Sequence, residues 1–157
     1  MPTKALPPAG ASTFAASGVQ PGDWQRMWLA TQVRPWRTLG LIPAARGSAP
    51  NFPLDVAVYL ARAGMAQLGA QVHVADATSL SFENSLEFKR QLRETQEDGR
   101  VIVAFAPPSE STLTVSLART MDAALLCVVL GSTTSVQAKE VVDGIGAGFF
   151  LGAVTFS

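Results

Sequence analysis

The chain has 157 residues, 48% of them hydrophobic, which is enough to bury one sizeable core, so one domain is expected. Twelve basic residues balance twelve acidic ones and form no Lys/Arg block, which removes the electrostatic footprint of a nucleic-acid binder. One cysteine excludes a disulfide framework, and one histidine cannot build a metal cluster.

Residues 1–20 are rich in Ala, Pro, Gly and Ser without periodicity and read as a disordered lead-in, with 21–157 as the folded domain. The opening lacks the uninterrupted apolar core of a secretory signal. Asp23 reads as an N-cap, and Trp24, Met27, Trp28 and Thr31 fall at helical spacing until Pro35 stops the helix. From Thr38 onward, strand-like runs ("TLGLIP", "QVHVAD", "RVIVAFA", "AALLCVVL", "FFLGAVTF") alternate with helices predicted over 53–66, 82–97, 110–120 and 135–145. Pro53 suits a first helical turn, where its missing N–H would be unpaired anyway. Asp98-Gly99 is expected to end the third helix through a left-handed glycine. Thr134 and Gln137 have capping-box spacing.

The strand runs are almost wholly apolar rather than alternating, which implies burial on both faces. Five such strands with helical crossovers imply a parallel sheet between two helix layers, a three-layer α/β sandwich. The longest apolar stretches, "AALLCVV" and "GIGAGFFLGAVTF", are too short to cross a bilayer as helices. A cytoplasmic protein without direct membrane insertion is expected.

A parallel sheet presents ligands at the carboxyl ends of its strands. The loop "AARGSAPNFPLD", residues 44–55, follows the first strand where a phosphate loop would lie. A working phosphate loop offers consecutive backbone N–H groups, a lysine and a hydroxyl. Here Pro50 and Pro53 remove two donors, Phe52 adds bulk, and no lysine lies between Lys4 and Lys89. The second strand ends at Asp76, with Thr78 two residues on, and the third runs into Pro107-Pro108 with no acid. Arg46, Ser48, Asn51 and Asp76 form an alternative weak anion site at a helix N-terminus. The competing readings are a turn with an Asn cap and, for Asp76, a local cap or pairing. Cys127 and His73 read as core or strand residues, and Ser109, Glu110 and Ser111 as helix capping, because no Gly-x-Ser-x-Gly elbow is present. No catalytic residue, metal ligand or cofactor is assigned.

In order, these segments resemble the deviant-Walker P-loop ATPases, specifically the cytoplasmic domain of bacterial tyrosine kinases of the Wzc/CapB type, with MinD and ParA as distant relatives. "RTLGLIPAARGSAPNFPLDVAVYLARAG" resembles their phosphate-loop segment, and "AQVHVADAT" their second, Asp-bearing strand. "RVIVAFAPPS" resembles the strand that normally ends in Asp-Thr-Pro-Pro, and "DAALLCVVLGSTTSVQAKEVVDGIGAGFFLGAVTF" their last strand, helix and strand. The resemblance spans roughly residues 22–156 and implies a P-loop-NTPase-like sheet of strand order 2-3-1-4-5. Carried over, the loop lysine and hydroxyl fall on Ala49 and Pro50, the third-strand acid on Phe105, and the second strand keeps only Asp76, with Thr78 in place of the other acid. The kinases' C-terminal tyrosine cluster is absent, since the single tyrosine, Tyr59, lies in a predicted helix.

Without metal-binding carboxylates and a phosphate-binding lysine, phosphoryl transfer loses most of its electrostatic stabilisation. The expectation is therefore not an enzyme but a pseudo-ATPase or pseudokinase. By resemblance it is an accessory or scaffold in bacterial exopolysaccharide synthesis and export, working through protein partners or self-association at the inner face of the membrane. The alternatives are a residual nucleotide or anion sensor and an unrelated small α/β enzyme. The anchor for such contacts is expected from Trp24, Arg26, Met27, Trp28 and Trp36, since Trp, Met and Arg are enriched in interface cores. The competing reading packs the same stripe on the sheet. The kinases use this helix in assembly through a Glu-x-x-Arg-x-x-Arg pattern, echoed here only by Asp23 and Arg26, with Leu29 in the last place.

Overall fold

Thr38–Pro43 (β1) is buried at every one of its six positions, which requires protein on both faces and at both edges. It pairs in parallel with Arg100–Phe105 (β3), Leu39 opposite Ile102, and with Ala123–Val129 (β4), Leu39 opposite Ala123. Val72–Ala77 (β2) pairs with β3 and Phe150–Phe156 (β5) with β4, giving five parallel strands in the order β2-β3-β1-β4-β5. This is the α/β sheet and the winding expected from the sequence. The computed structural model describes residues 21–45, 52–131 and 133–156. The lead-in 1–20 and the loop residues Arg46, Ser48 and Asn51 lie outside the described residues.

Period-two alternation sends successive strand residues to opposite layers. Leu39, Leu41, Ile102, Leu125 and Cys127 pack with Pro21–Ala30 (α1) and Phe52–Leu68 (α2). Ile42, Val101, Val103, Phe105 and Leu126 pack with Ser85–Thr95 (α3), Thr112–Ala118 (α4) and Ser135–Ile145 (α5). Full burial of a Leu, Ile or Phe side chain stabilises by about 1.5–3 kcal/mol, so the two cores carry the fold.

Local chemistry sets the boundaries and corrects some expectations. α1 begins at Pro21, so Asp23 sits inside the first turn, bonded to Arg26, rather than at the N-cap. It ends at Ala30 and passes into a 3-10 turn, Thr31–Val33, before Pro35 is reached. α3 spans Ser85–Thr95, shorter at both ends than predicted. Gly99 does not adopt a left-handed conformation; a Cβ there would lie 2.7 Å from the carbonyl oxygen of Gln71, so close backbone approach requires the glycine. Positive φ is found instead at Gly69, Gly131 and Gly146; Gly69, at φ 66° after α2, donates its N–H to Met65 O at 2.9 Å. The Thr134/Gln137 capping box is present in both directions. Ser111 precedes α4 in extended conformation without a side-chain cap bond, so its expected capping role is confined to position.

The first layer is held by aromatic contacts. The Trp28 indole meets Trp36 edge to face at 5.5 Å, and the Arg100 guanidinium lies 5.7 and 4.9 Å from the two rings while donating to Gln32 Oε1 at 2.8 Å. Trp36 Nε1 donates to Thr31 O at 3.1 Å, and Trp24 stacks on Tyr59 of α2 at 5.1 Å. Gly64 of α2 admits the Trp28 ring, since a Cβ there would come within 2.6 Å of it. Gly64→Ala is therefore expected to destabilise the fold by about 1–3 kcal/mol although alanine is the better helix former, and Trp28→Ala by about 3–5 kcal/mol. Urea unfolding of both variants checks this; an unchanged midpoint for Gly64→Ala would show that the ring moves aside freely.

Candidate functional site

The two ends of the sheet differ. At the amino ends, the Asp122 carboxylate accepts from the backbone N–H groups of Arg37 and Thr38 at 2.7 and 3.1 Å. Arg119 donates to the carbonyls of Gly144 and Ile145 at the end of α5, and Arg34 to those of Gly148 and Phe149. A ligand site in a parallel sheet is expected at the opposite, carboxyl ends.

Three strand ends meet at this edge. β1 continues to Ala44, whose N–H donates to Cys127 O at 3.0 Å, and the chain re-enters at α2 with Phe52 and Pro53 buried. Pro53 sits in the first helical turn, as expected. Asp55 follows in that turn, and burial pushes its carboxyl up to about 6. A helix N-terminus favours an anion, so desolvation here outweighs the dipole. Asp76 is the penultimate residue of β2, and its Oδ1 accepts from Thr78 N at 2.9 Å and Thr78 Oγ1 at 2.6 Å, the local pairing considered for it. β3 ends at Phe105, 1% exposed, with its ring 3.0 Å from where a Cβ on Gly40 would be. The place that the resemblance gives to an acid is filled core.

Two clefts open at this edge. One, of about 300 Å3, runs along α3 and is lined by Asp76, Ser79, Leu80, Asn84, Glu87, Phe88 and Gln91. The other, of about 330 Å3, lies between α4 and α5 and is lined by Ala44, Pro108, Ser109, Val115, Gln137, Glu140, Val141 and Gly144. Their charged lining residues, Asp76, Glu87 and Glu140, are all acidic. No lysine or arginine occurs at 44–45, 52–55 or 105–111. Among the described residues no group of three His, Cys, Asp or Glu could hold a metal ion.

Of the proposed anion site only Asp76 is described, and it is bonded locally. The tryptophan stripe requires a correction. Trp24, Trp28 and Trp36 are 6%, 1% and 3% exposed, buried against the chain's own α2 and β3, so they leave no aromatic anchor at the surface. Met27 is half-buried against the same core, and Arg26 is exposed but bonded to Asp23. Cys127 is buried and its thiol is pushed up to about 12 by desolvation, so it is no nucleophile. His73 lies on β2 with Nε2 2.9 Å from Asp98 Oδ2. The sequence reading missed Asp55 and the cleft face of α5. The signals were an acid two places after Pro53, and Gln137, Glu140, Val141 and Gly144 at one-face helical spacing.

No family model and no curated protein matches the chain by sequence. Among solved structures, the chain is similar to the chimerical protein CapA2B2, with a TM-score of 0.66 and 12% identity over 85% of this chain and 83% of that one. It is also similar to the BceF tyrosine kinase domain, with a TM-score of 0.59 and 12% identity over 86% of this chain and 73% of that one. At this identity the likeness is one of fold. Among the described residues no helix is long and apolar enough to cross a membrane.

The Asp55 carboxyl gives a pH signature. Below its ordinary value of 3.8, folded and unfolded chains both hold the proton and burial costs nothing. Between 3.8 and about 6 only the unfolded chain ionises, so stability falls as pH rises, and the penalty is full above that window. Asp55→Asn is expected to flatten this slope and to stabilise the fold at neutral pH by on the order of 1 kcal/mol, solvent screening of this half-exposed group reducing the full effect. Thermal unfolding of parent and variant from pH 4 to about 7 reads it; parallel curves would overturn the assignment.

Proposed function

We propose that this chain is a catalytically inactive relative of the P-loop-like tyrosine kinase fold, acting as an accessory or scaffold through protein contacts rather than through phosphoryl transfer. The observation that carries this reading is the occupancy of the β3 terminus by the buried Phe105 ring. Phosphoryl transfer depends almost wholly on positioned cations and metal-binding carboxylates. With an aromatic ring in that place, and Asp55 in the first turn of α2 where a phosphate would need positive potential, the described edge offers magnesium only the locally bonded Asp76 and a γ-phosphate no lysine or arginine at 44–45, 52–55 or 105–111. The solved structure of a tyrosine kinase domain with this fold supports the ancestry, and the resemblance to the Wzc/CapB type suggests exopolysaccharide synthesis and export as the setting. In that setting the chain would work at the inner face of the membrane, held there by a partner.

Calorimetric titration with ATP and ADP, each with and without magnesium, tests the reading. No saturable heat is expected up to nucleotide concentrations on the order of 1 mM, and no phosphate should pass from ATP to the chain or to an added tyrosine polymer. Binding in the micromolar range without transfer would favour a nucleotide sensor. Transfer would make the chain an enzyme.

A further inference from the structure

The cleft between α4 and α5 combines three features. Its floor is apolar, built from Pro108, Val115 and Val141. Its one charged lining residue, Glu140, is exposed and enters no hydrogen bond or ion pair among the described residues, while the neighbouring Lys139 and Asp143 bond each other at 2.7 Å. Its wall is opened by Gly144. Glycine inside a helix weakens it relative to alanine, and at Gly64 of α2 the Trp28 ring explains the cost. At Gly144 the backbone is ordinary and a Cβ would meet nothing within 4 Å. Gly148, in the 3-10 turn after α5, and Gly152 on β5 are equally unconstrained but line neither cleft. The fold does not need a glycine at 144, whereas a second backbone passing along the cleft does.

We propose that this cleft docks an extended segment of a partner protein, anchored by one arginine or lysine side chain. The aliphatic stem lies on Pro108, Val115 and Val141, the cationic head meets Glu140, and the segment's backbone crosses Gly144. An apolar body carrying a single cation matches a floor of this composition with one unpaired carboxylate at its rim. The assignment rests on the reading that the chain works through contacts. The two fail separately, because nucleotide turnover would defeat that reading without touching the titration described next.

The probe is a short alanine-based peptide with a central arginine, titrated into the nitrogen-15-labelled chain while amide shifts are followed. Saturable shifts are expected at Ser109, Val115, Gln137 and Gly144, with an affinity on the order of millimolar. Glu140→Gln and Gly144→Leu should each weaken binding by roughly tenfold, as should replacing the peptide's arginine by norleucine or glutamate. Gly144→Leu fills the opening with a good helix former, so its unfolding midpoint should not fall, and lost binding then reports a blocked cleft. No saturable shift, shifts centred elsewhere, or equal binding of the norleucine peptide would overturn the proposal. Equal binding of free agmatine would also overturn it, making the cleft a site for small amines.

Discussion

The ring of Phe105 presses on Gly40 in the middle of the central strand, and much of the molecule follows from that contact. A Cβ on Gly40 would lie 3.0 Å from the ring and 3.3 Å from Met121, so β1, β3 and the turn before β4 meet at a position where any side chain would have to push both neighbours aside. The same residue stands at the end of β3, where the sequence resemblance places a carboxylate. An ionised acid at a site 1% exposed would have to neutralise or find a buried partner. A phenyl ring there completes the core instead. Packing, not charge, occupies this position.

Electrostatics at the carboxyl edge point the same way. A phosphate group is held by backbone N–H groups, a helix dipole and fixed cations acting together. The dipole of α2 remains, but its first turn carries Asp55, whose raised protonation range shows how poorly that environment hydrates a charge. Glu140 and Asp76 add carboxylates to the two clefts beside it. Among the described residues, the charged groups lining the two clefts are carboxylates, which favour a cationic over an anionic ligand there.

The sheet was legible because burial on both faces leaves a compositional trace that few other structures share. Runs such as "TLGLIP" and "VIVAFA" have no polar face, and all five strands lie where those runs occur. Helix centres were equally plain, while ends were not: α3 stops short of Asp98 because the turn from Gln96 to Asp98 intervenes, and Gly99 answers to the carbonyl of Gln71, a neighbour far away in sequence. The tryptophans show a deeper limit. Trp24, Met27 and Trp28 give one helical stripe whether that stripe meets the chain's own α2 or a second protein. What decided between these was Gly64, one turn of a distant helix, whose missing side chain makes room for the Trp28 ring. Periodicity reports that a face is covered and is silent about what covers it.

Burial of the aromatic anchor changes where contact must be made and what kind it can be. Large exposed hydrophobic side chains occur at both ends of the sheet: Phe82, Leu86 of α3, Leu130 and Val136 of α5 towards the carboxyl edge, and Leu29, Val33 and Leu68 towards the amino edge. The amino edge is tied down by Asp122, Arg119 and Arg34, each bonding backbone groups across elements. One end of the sheet is thus a braced base, and the other carries the carboxylates of the two clefts. A rigid platform of that kind needs little ordering when a partner binds, so modest contacts are not consumed by conformational entropy. On the reading proposed above, the parallel sheet and its braced end would supply that rigidity whether or not the chain handles a nucleotide.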